Sequence, residues 1–177
     1  MSAAPEILTF LFKDSGGIPN NPVLPVIIYK RAAPGSLASA AAMADWFEAT
    51  WPKHGWKAAW RYGVYTFPHY HSTAHEILGV YRGQATIRLG AETGVTVVAE
   101  AGDVMVLPAG TGHENLGSSR DFHVVGGYPD GQSPDLLRGS ARERATAMQR
   151  IAKVPLPKTD PLQGPGGPLA KEWKILA

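Results

Sequence analysis

Apolar residues recur along most of this chain in short runs, which are separated by turn-forming residues. Two early runs, "ILTFLF" (7–12) and "PVIIYK" (25–30), are typical of strands. Between residues 56 and 129, further strand-like segments follow roughly every ten residues, with Gly, Pro or Asp at most breaks: "WRYGVYTF", "HEILGVYRG", "ATIRLG", "VTVVAEA", "DVMVLP", "HENLGS" and "FHVVGGYP". This rhythm predicts a β-sandwich or barrel rather than a parallel α/β sheet.

Helical spacing of apolar residues is confined to two stretches outside this region. In "GSLASAAAMADWFEATW" (35–51), we expect Ser36 to cap a helix that ends at Pro52 and Gly55. A second, short surface helix is predicted in "SARERATAMQRIAKV" (140–154). The tail that follows is rich in Pro and Gly, but it carries Trp173, Ile175 and Leu176, so we expect it to pack on the body.

Length and composition fit one globular domain. The 177 residues predict a single domain with a barrel core at about 56–129, N-terminal strands and a helix at 6–55, and a C-terminal helix and packed tail at 140–177. The formal charge of +2 and the lack of a Lys/Arg-rich run predict no nucleic-acid partner. The sequence shows no signal peptide and no apolar stretch of membrane-spanning length, so a cytoplasmic protein without a membrane partner is expected.

The chain has no cysteine, so any metal must be held by His, Asp or Glu. Three of its six histidines stand within seven residues, in "HYHSTAH" (69–75). Because side chains alternate along a strand, His69 and His71 are expected to project to the same side. One of the next two residues, His75 or Glu76, can face the same cavity, and His113 comes from a third segment. Such a set suits Mn, Fe, Co, Ni, Cu or Zn and leaves coordination positions open.

The spacing of these residues resembles two sequence motifs of the cupin superfamily. Gly63 is followed by five residues, His69-x-His71, four residues, Glu76, six residues and Gly83. Downstream, Gly102 is followed by five residues, Pro108-x-Gly110, two residues and His113. The family Asn that should come next is replaced by Gly117, while an Asn stands at position 115. The resemblance implies a metal site made of His69, His71, Glu76 and His113.

Segments outside the motifs are similar to a bacterial subgroup of small single-domain cupins, the YjlB-like proteins. They are "IPNNPVLPVIIYK", "HEILGVYRG", "FHVVGGYP" and "KVPLPKTDPLQGPGGPL". The resemblance implies an all-β fold, a cupin jelly-roll β-barrel with a few peripheral helices, one divalent transition metal, and a homodimer. It implies no particular reaction.

Two alternatives concern the acidic ligand and the type of site. The family pattern also permits a shorter spacing that would select His75 and give a site with four histidines; Glu76 has the commoner spacing. Both "HEILG" (75–79) and "HENLG" (113–117) begin like the zinc-protease motif His-Glu-x-x-His, but each has Gly at the fifth position and is predicted to be a strand, not a helix. We therefore reject a protease site.

Other residues are candidates for a substrate pocket beside the metal. Tyr65 and Phe67 share the strand phase of His69 and His71, and His75 and His123 are further candidates. The expected function is a mononuclear metal-dependent enzyme, of oxygenase or isomerase type, acting on a small organic molecule. The alternative is a non-catalytic cupin that binds a small molecule or a sugar around a structural metal. A cupin fused to a DNA-binding module is disfavoured, because no helix-turn-helix pattern or basic patch flanks the barrel.

Overall fold

The computed structural model describes residues 4–175, and within them nine strands and three α-helices are found. The strands are β1 (Glu6–Phe10), β2 (Val26–Lys30), β3 (Trp56–Tyr62), β4 (Glu76–Arg82), β5 (Gln84–Leu89), β6 (Val95–Glu100), β7 (Val104–Leu107), β8 (His113–Ser118) and β9 (His123–Pro129). The helices are α1 (Ala40–Thr50), α2 (Ala141–Ile151) and α3 (Pro168–Glu172). None of the helices in this part of the chain is long and apolar enough to cross a membrane.

The strands form two antiparallel sheets, as the spacing of apolar segments predicted. The larger sheet has the order β1-β2-β7-β4-β9-β3, and the smaller one has the order β6-β5-β8. Apolar residues from both sheets pack between them, among them Val26, Leu78, Ile87, Met105 and Val124. The fold is therefore the predicted all-β architecture, with the helices at its periphery.

Helix α1 covers the outer face of the larger sheet. Phe47 and Trp51 of this region are fully buried against Ile77 and Val125 of the sheet. The approach is close at Gly79, where a Cβ atom would lie only 2.9 Å from the rings of Phe47 and Trp51. A glycine at this position lets the helix pack directly on β4.

The beginning of α1 differs from the sequence prediction. Ser36 lies in a turn closed by a hydrogen bond from the Leu37 N–H to the Pro34 carbonyl (3.2 Å). Ser39 is the N-cap instead, and its hydroxyl accepts a hydrogen bond from the Ala42 N–H at 3.1 Å. Capping is decided by this backbone geometry, which the spacing of apolar residues does not specify.

Ser39→Ala should therefore lower the free energy of unfolding by about 1 kcal/mol, because one N–H of the first turn of α1 loses its acceptor. Ser36→Ala is the matched control and should have a smaller effect. Chemical denaturation of both variants checks this prediction, and a larger loss for Ser36→Ala would contradict it.

The polypeptide after residue 154 packs on the same outer face. Trp173 is buried there, and its indole N–H donates a hydrogen bond to the Pro25 carbonyl at 2.9 Å. The buried Asp160 carboxylate accepts hydrogen bonds from the Tyr29 hydroxyl at 2.6 Å and from three backbone N–H groups, those of Leu162, Gln163 and Leu169. The expected packing is thus observed for Trp173, while Leu176 lies outside the described residues.

Candidate metal centre

His69 and His71 lie on an extended segment between β3 and β4 rather than in a regular strand. The C-terminal boundary of the strand predicted at 60–67 is wrong, since β3 ends at Tyr62. The segment is held on both sides: His69 and His113 exchange backbone hydrogen bonds of 3.2 and 2.9 Å, and Tyr70 does the same with Leu137 at 3.0 Å. This extended backbone directs His69 and His71 to one side, as predicted, and Tyr70 to the other.

Glu76 and His113 are the first residues of β4 and β8, and they meet the two histidines at one end of the sheets. Glu76 Oε2 lies 3.1 Å from His113 Nε2 and 3.4 Å from His71 Nε2. One ring nitrogen of each of His69, His71 and His113 lies within 4.8 Å of those of the other two. All four side chains are buried. We refer to His69, His71, Glu76 and His113 as the His–Glu cluster.

Backbone carbonyls fix which nitrogen of each imidazole carries its proton. The Nδ1 atom of His69 lies 3.0 Å from the Phe67 carbonyl, and that of His113 lies 3.0 Å from the Thr111 carbonyl. The Nδ1 atom of His71 contacts the Asp135 carbonyl. Because a carbonyl oxygen only accepts hydrogen bonds, each Nδ1 must be the donor. In the neutral imidazole, the Nε2 lone pair is then left for a metal ion.

Charges within the His–Glu cluster are strongly coupled. Burial, together with the neighbouring His113, lowers the pKa of His69 to about 3. Burial alone would lower the pKa of His71, but the Glu76 carboxylate overrides it and raises that pKa to about 9. Burial would likewise raise the pKa of the Glu76 carboxyl, yet His71 and His113 hold it well below its usual range. The cluster therefore holds a buried carboxylate that attracts positive charge.

These residues fit a divalent transition metal. Oε2 of Glu76 is buried and close to two imidazoles, but it accepts a well-aligned hydrogen bond from neither. Three imidazole nitrogens lie close together, and the carboxylate oxygen lies beside two of them. Imidazole nitrogens and a carboxylate oxygen are donors that Mn, Fe, Co, Ni, Cu and Zn accept. To bind a metal ion, His71 would release the proton on Nε2, since imidazole binds metals in its neutral form.

His75 lies on the other side of β4 from the His–Glu cluster, which corrects its assignment to the substrate pocket. Its ring packs against Trp173, with 4.8 Å between ring centroids, and its Nδ1 accepts a hydrogen bond from the Ala109 N–H at 3.0 Å. Burial lowers the pKa of His75 to about 4, so the ring is neutral. Alternation along the strand is the physical reason: with Glu76 facing the cluster, its neighbour His75 faces away.

A cavity of about 370 Å³ adjoins the His–Glu cluster, and we call it the main cavity. Tyr65 lies in its wall, as expected. Phe67 is placed behind this wall, where it stacks on Tyr65 with 4.8 Å between ring centroids. His123 is outside the main cavity and lies beside Arg82, with 3.2 Å between the His123 Nδ1 and Arg82 Nη2 atoms. The pocket assignments of Phe67 and His123 are therefore corrected. For Phe67, the reason is that the chain leaves β-strand geometry at residue 63. For His123, the reason is that it begins β9, whereas the cavity lies near Tyr128 at the other end of that strand.

Several residues of the cavity wall were missed by the sequence prediction. They are Trp60, Tyr62, Val64, Leu78, Tyr128, Pro134, Asp135 and Leu136. Tyr128 accepts a hydrogen bond from the Trp60 indole N–H at 2.8 Å. Burial and the Glu76 charge raise the pKa of Tyr128 to about 12, so its hydroxyl keeps its proton at neutral pH. The sequence shows Tyr128 in the strand-like segment "FHVVGGYP", three residues after Val125. An aromatic residue in a strand is equally typical of an ordinary core, so this position did not indicate a cavity.

Asp135 also positions the His–Glu cluster. Its backbone carbonyl accepts from His71, and its carboxylate accepts from the Ser72 backbone N–H at 2.6 Å and contacts the Ser72 hydroxyl. The Asp135 N–H in turn donates to the Thr73 hydroxyl at 2.9 Å. The segment around Asp135 is thereby tied to the segment that carries His71.

Comparison with known proteins agrees with this geometry. A family model described as Cupin matches residues 61–127, which include the whole His–Glu cluster. Over 168 residues, the chain is 38% identical to the uncharacterized protein YjlB of Bacillus subtilis (strain 168), covering 95% of this chain and 97% of that protein. The chain belongs to the cupin family.

Two solved structures show weaker similarity. A DUF861 family protein from Thermotoga maritima is 20% identical, with a TM-score of 0.33, over 57% of this chain and 96% of that one. Procruciferin, an 11S globulin from Brassica napus, is 12% identical, with a TM-score of 0.38, over 86% of this chain and 33% of that one.

Proposed function

We propose that this chain binds one divalent transition metal through the His–Glu cluster and acts on a small organic molecule in the main cavity. The proposed class is a mononuclear metal-dependent enzyme of oxygenase or isomerase type. One observation carries the proposal: three imidazoles, each with Nδ1 committed to a backbone carbonyl, bring one ring nitrogen each within 4.8 Å of the others beside a cavity, and two of them direct Nε2 at the buried Glu76 carboxylate.

The four side chains would serve as the metal ligands, and their surroundings would fix them. The Phe67, Thr111 and Asp135 carbonyls hold the three rings in the orientation and tautomer that binding requires. A metal in such a site supplies Lewis-acid polarisation of a substrate oxygen, or redox chemistry with dioxygen if it is redox-active. Val64, Tyr65 and Leu78 form an apolar wall that would exclude water from the bound molecule.

Four protein ligands leave room for substrate. A structural metal usually has its coordination filled by protein, whereas a catalytic metal keeps open positions. The main cavity reaches His69, His71, Glu76 and His113, so a small molecule can approach the same point as the four side chains. This access favours a catalytic centre over a closed structural one.

A non-catalytic protein that binds a small molecule or a sugar is the second candidate. Its supporting observation is the pair of aromatic side chains at the cavity, Tyr62 and Tyr65, which are 67% and 46% exposed. Exposed aromatic faces are suited to stacking against a ring. Binding without turnover would distinguish this candidate from an enzyme.

Metal-free protein should take up about one Co(II) or Zn(II) ion per chain, because the His–Glu cluster supplies one set of four ligands. At a free metal concentration about 100-fold above Kd, the bound ion should stabilise the fold by about 2.7 kcal/mol. Calorimetric titration and thermal unfolding measure both quantities. Double substitution of His69 and His113 by alanine is the control and should abolish uptake; uptake that persists in this variant would contradict the assignment.

Turnover is tested with the metal-loaded protein. Fe(II)- and Mn(II)-loaded samples should be screened with small acids, phenols and diketones for oxygen uptake and for isomerisation by NMR. An enzyme should give turnover that is lost in the variant lacking His69 and His113. Saturable binding of a compound without turnover under any metal would instead support the non-catalytic candidate.

A further inference from the structure

We propose that the main cavity selects a planar, oxygen-bearing ring compound that carries at most one negative charge. This inference rests on the proposed metal site and narrows its substrate class. Shape, charge and one hydrogen-bond donor of the cavity support it separately.

The shape of the main cavity is set by flat side chains. Trp60, Tyr62, Tyr65 and Tyr128 line it together with the aliphatic Val64, Leu78 and Leu136. Aromatic walls gain most from another flat ring, through stacked or edge-to-face contacts. A cavity of about 370 Å³ also lies within the range of sites that bury a small organic ligand.

Tyr65 packs against Phe67 and His69 beside the His–Glu cluster. Phe67 stacks on it with 17° between the ring planes, and the Arg138 guanidinium lies 4.0 Å from the Phe67 ring centroid. The Tyr65 ring also meets His69 edge-on, with 5.1 Å between centroids. A ring that contacts Tyr65 is therefore placed next to a proposed metal ligand, and little entropy is lost in ordering that wall.

The charge of the main cavity limits the charge of its ligand. Among the described residues, those that line it include two carboxylates, Glu76 and Asp135, but no lysine or arginine. The Asp135 carboxylate is paired with the Arg150 guanidinium outside the lining, with 3.5 Å between Oδ2 and Nη1. A divalent metal and the remaining Glu76 carboxylate therefore leave a single positive charge, which a monoanion neutralises. A dianion would add a surplus negative charge among aromatic walls without a cationic partner, and such burial is unfavourable.

Tyr128 supplies a donor for a ligand oxygen. Its hydroxyl oxygen accepts from the Trp60 indole N–H, which leaves the hydroxyl proton to be donated elsewhere. Within residues 4–175, no acceptor for that proton is found. An oxygen atom on the ligand would satisfy it, and a hydrocarbon ring would not.

The test uses the Co(II)-loaded protein and three chelating probes, whose binding is followed by the visible spectrum of cobalt. Tropolone is a planar ring that binds as a monoanion, acetylacetone is a monoanion without a ring, and oxalate is a dianion without a ring. For each probe, the Kd for the Co(II)-loaded protein is divided by the Kd of the same probe for Co(II) in water. By this ratio, tropolone should bind at least about tenfold more tightly than either of the others.

Variants connect this preference to the cavity wall. Tyr65→Ala should weaken tropolone binding about tenfold while changing oxalate binding by less than about twofold. Tyr81→Ala removes a tyrosine outside the main cavity and should change neither. Tyr128→Phe should weaken tropolone several-fold, and the Kd for Co(II) itself should be the same in all these proteins because none of the tyrosines is a proposed ligand.

Two results would overturn the proposal while leaving the metal site intact: a normalised preference for oxalate, or equal weakening of all three probes by Tyr65→Ala. If Tyr65→Ala does not fold, the ranking of probes on the unmodified protein and the Tyr128→Phe variant still decide the question. Failure of the unmodified protein to bind Co(II) would overturn the proposed function and this inference together.

Discussion

Glu76→Ala should weaken divalent metal binding by at least about 100-fold, more than is typical for loss of a group outside the ligand shell. The Oε2 atom of Glu76 lies within 3.4 Å of two imidazole nitrogens. Removing this carboxylate takes away a proposed ligand and the negative charge that attracts the cation. Isothermal titration of the metal-free variant with Co(II) or Zn(II) measures the change.

His75→Ala is the matched control, because it alters the adjacent residue on the opposite side of β4. It should change the metal Kd by less than about tenfold, the lower limit for groups outside the ligand shell. It should instead lower the free energy of unfolding by about 1–3 kcal/mol, since the buried Ala109 N–H loses its acceptor. Equal loss of metal binding in the two variants, or the reverse order, would favour a site with four histidines.

Removing residues 155–177 should produce the largest loss of stability. The deletion uncovers the outer face of the larger sheet and leaves the Tyr29 hydroxyl without its Asp160 acceptor. The single change Trp173→Ala should by itself cost about 3–5 kcal/mol, as is typical when a fully buried aromatic side chain is removed. Denaturant unfolding of both variants checks these expectations.

Lys171→Ala provides the control on the same helix. Lys171 is exposed in α3, so its loss should change stability by no more than about 0.5 kcal/mol. A truncated protein with an unchanged melting temperature would show that the segment does not stabilise the barrel.

Much of the fold and the centre of the site could be predicted from local sequence. Short apolar runs with turn residues at their ends indicated the place of the nine strands, although the run at 60–67 overlaps only the end of β3. The spacing of the motifs predicted that His69, His71, Glu76 and His113 belong together, and the structure brings their side chains together. Strand alternation predicted that only one of Glu76 and His75 faces the cluster, but it did not decide which of the two does.

The cavity wall could not be predicted in this way because it depends on tertiary contacts. Trp60 and Tyr128 come from different strands, β3 and β9, whose pairing sets their distance. Asp135 lies in a segment without regular strand structure and reaches His71 through its backbone carbonyl, which every residue type possesses. Phe67 was misplaced for a related reason: its position was inferred from strand phase, but the chain is irregular there.

The packing of Trp173 on Pro25 also constrains the order in which the molecule can form. The two residues are 148 positions apart, and the Tyr29–Asp160 contact spans 131 positions. On the ribosome, β4 and the Glu76 that it carries would emerge well before the segment that covers its outer face. Chains with such distant pairings fold slowly, and their apolar surfaces stay open to association until the last contacts form. Synthesis and assembly of this barrel are therefore the stage at which it is most exposed to aggregation.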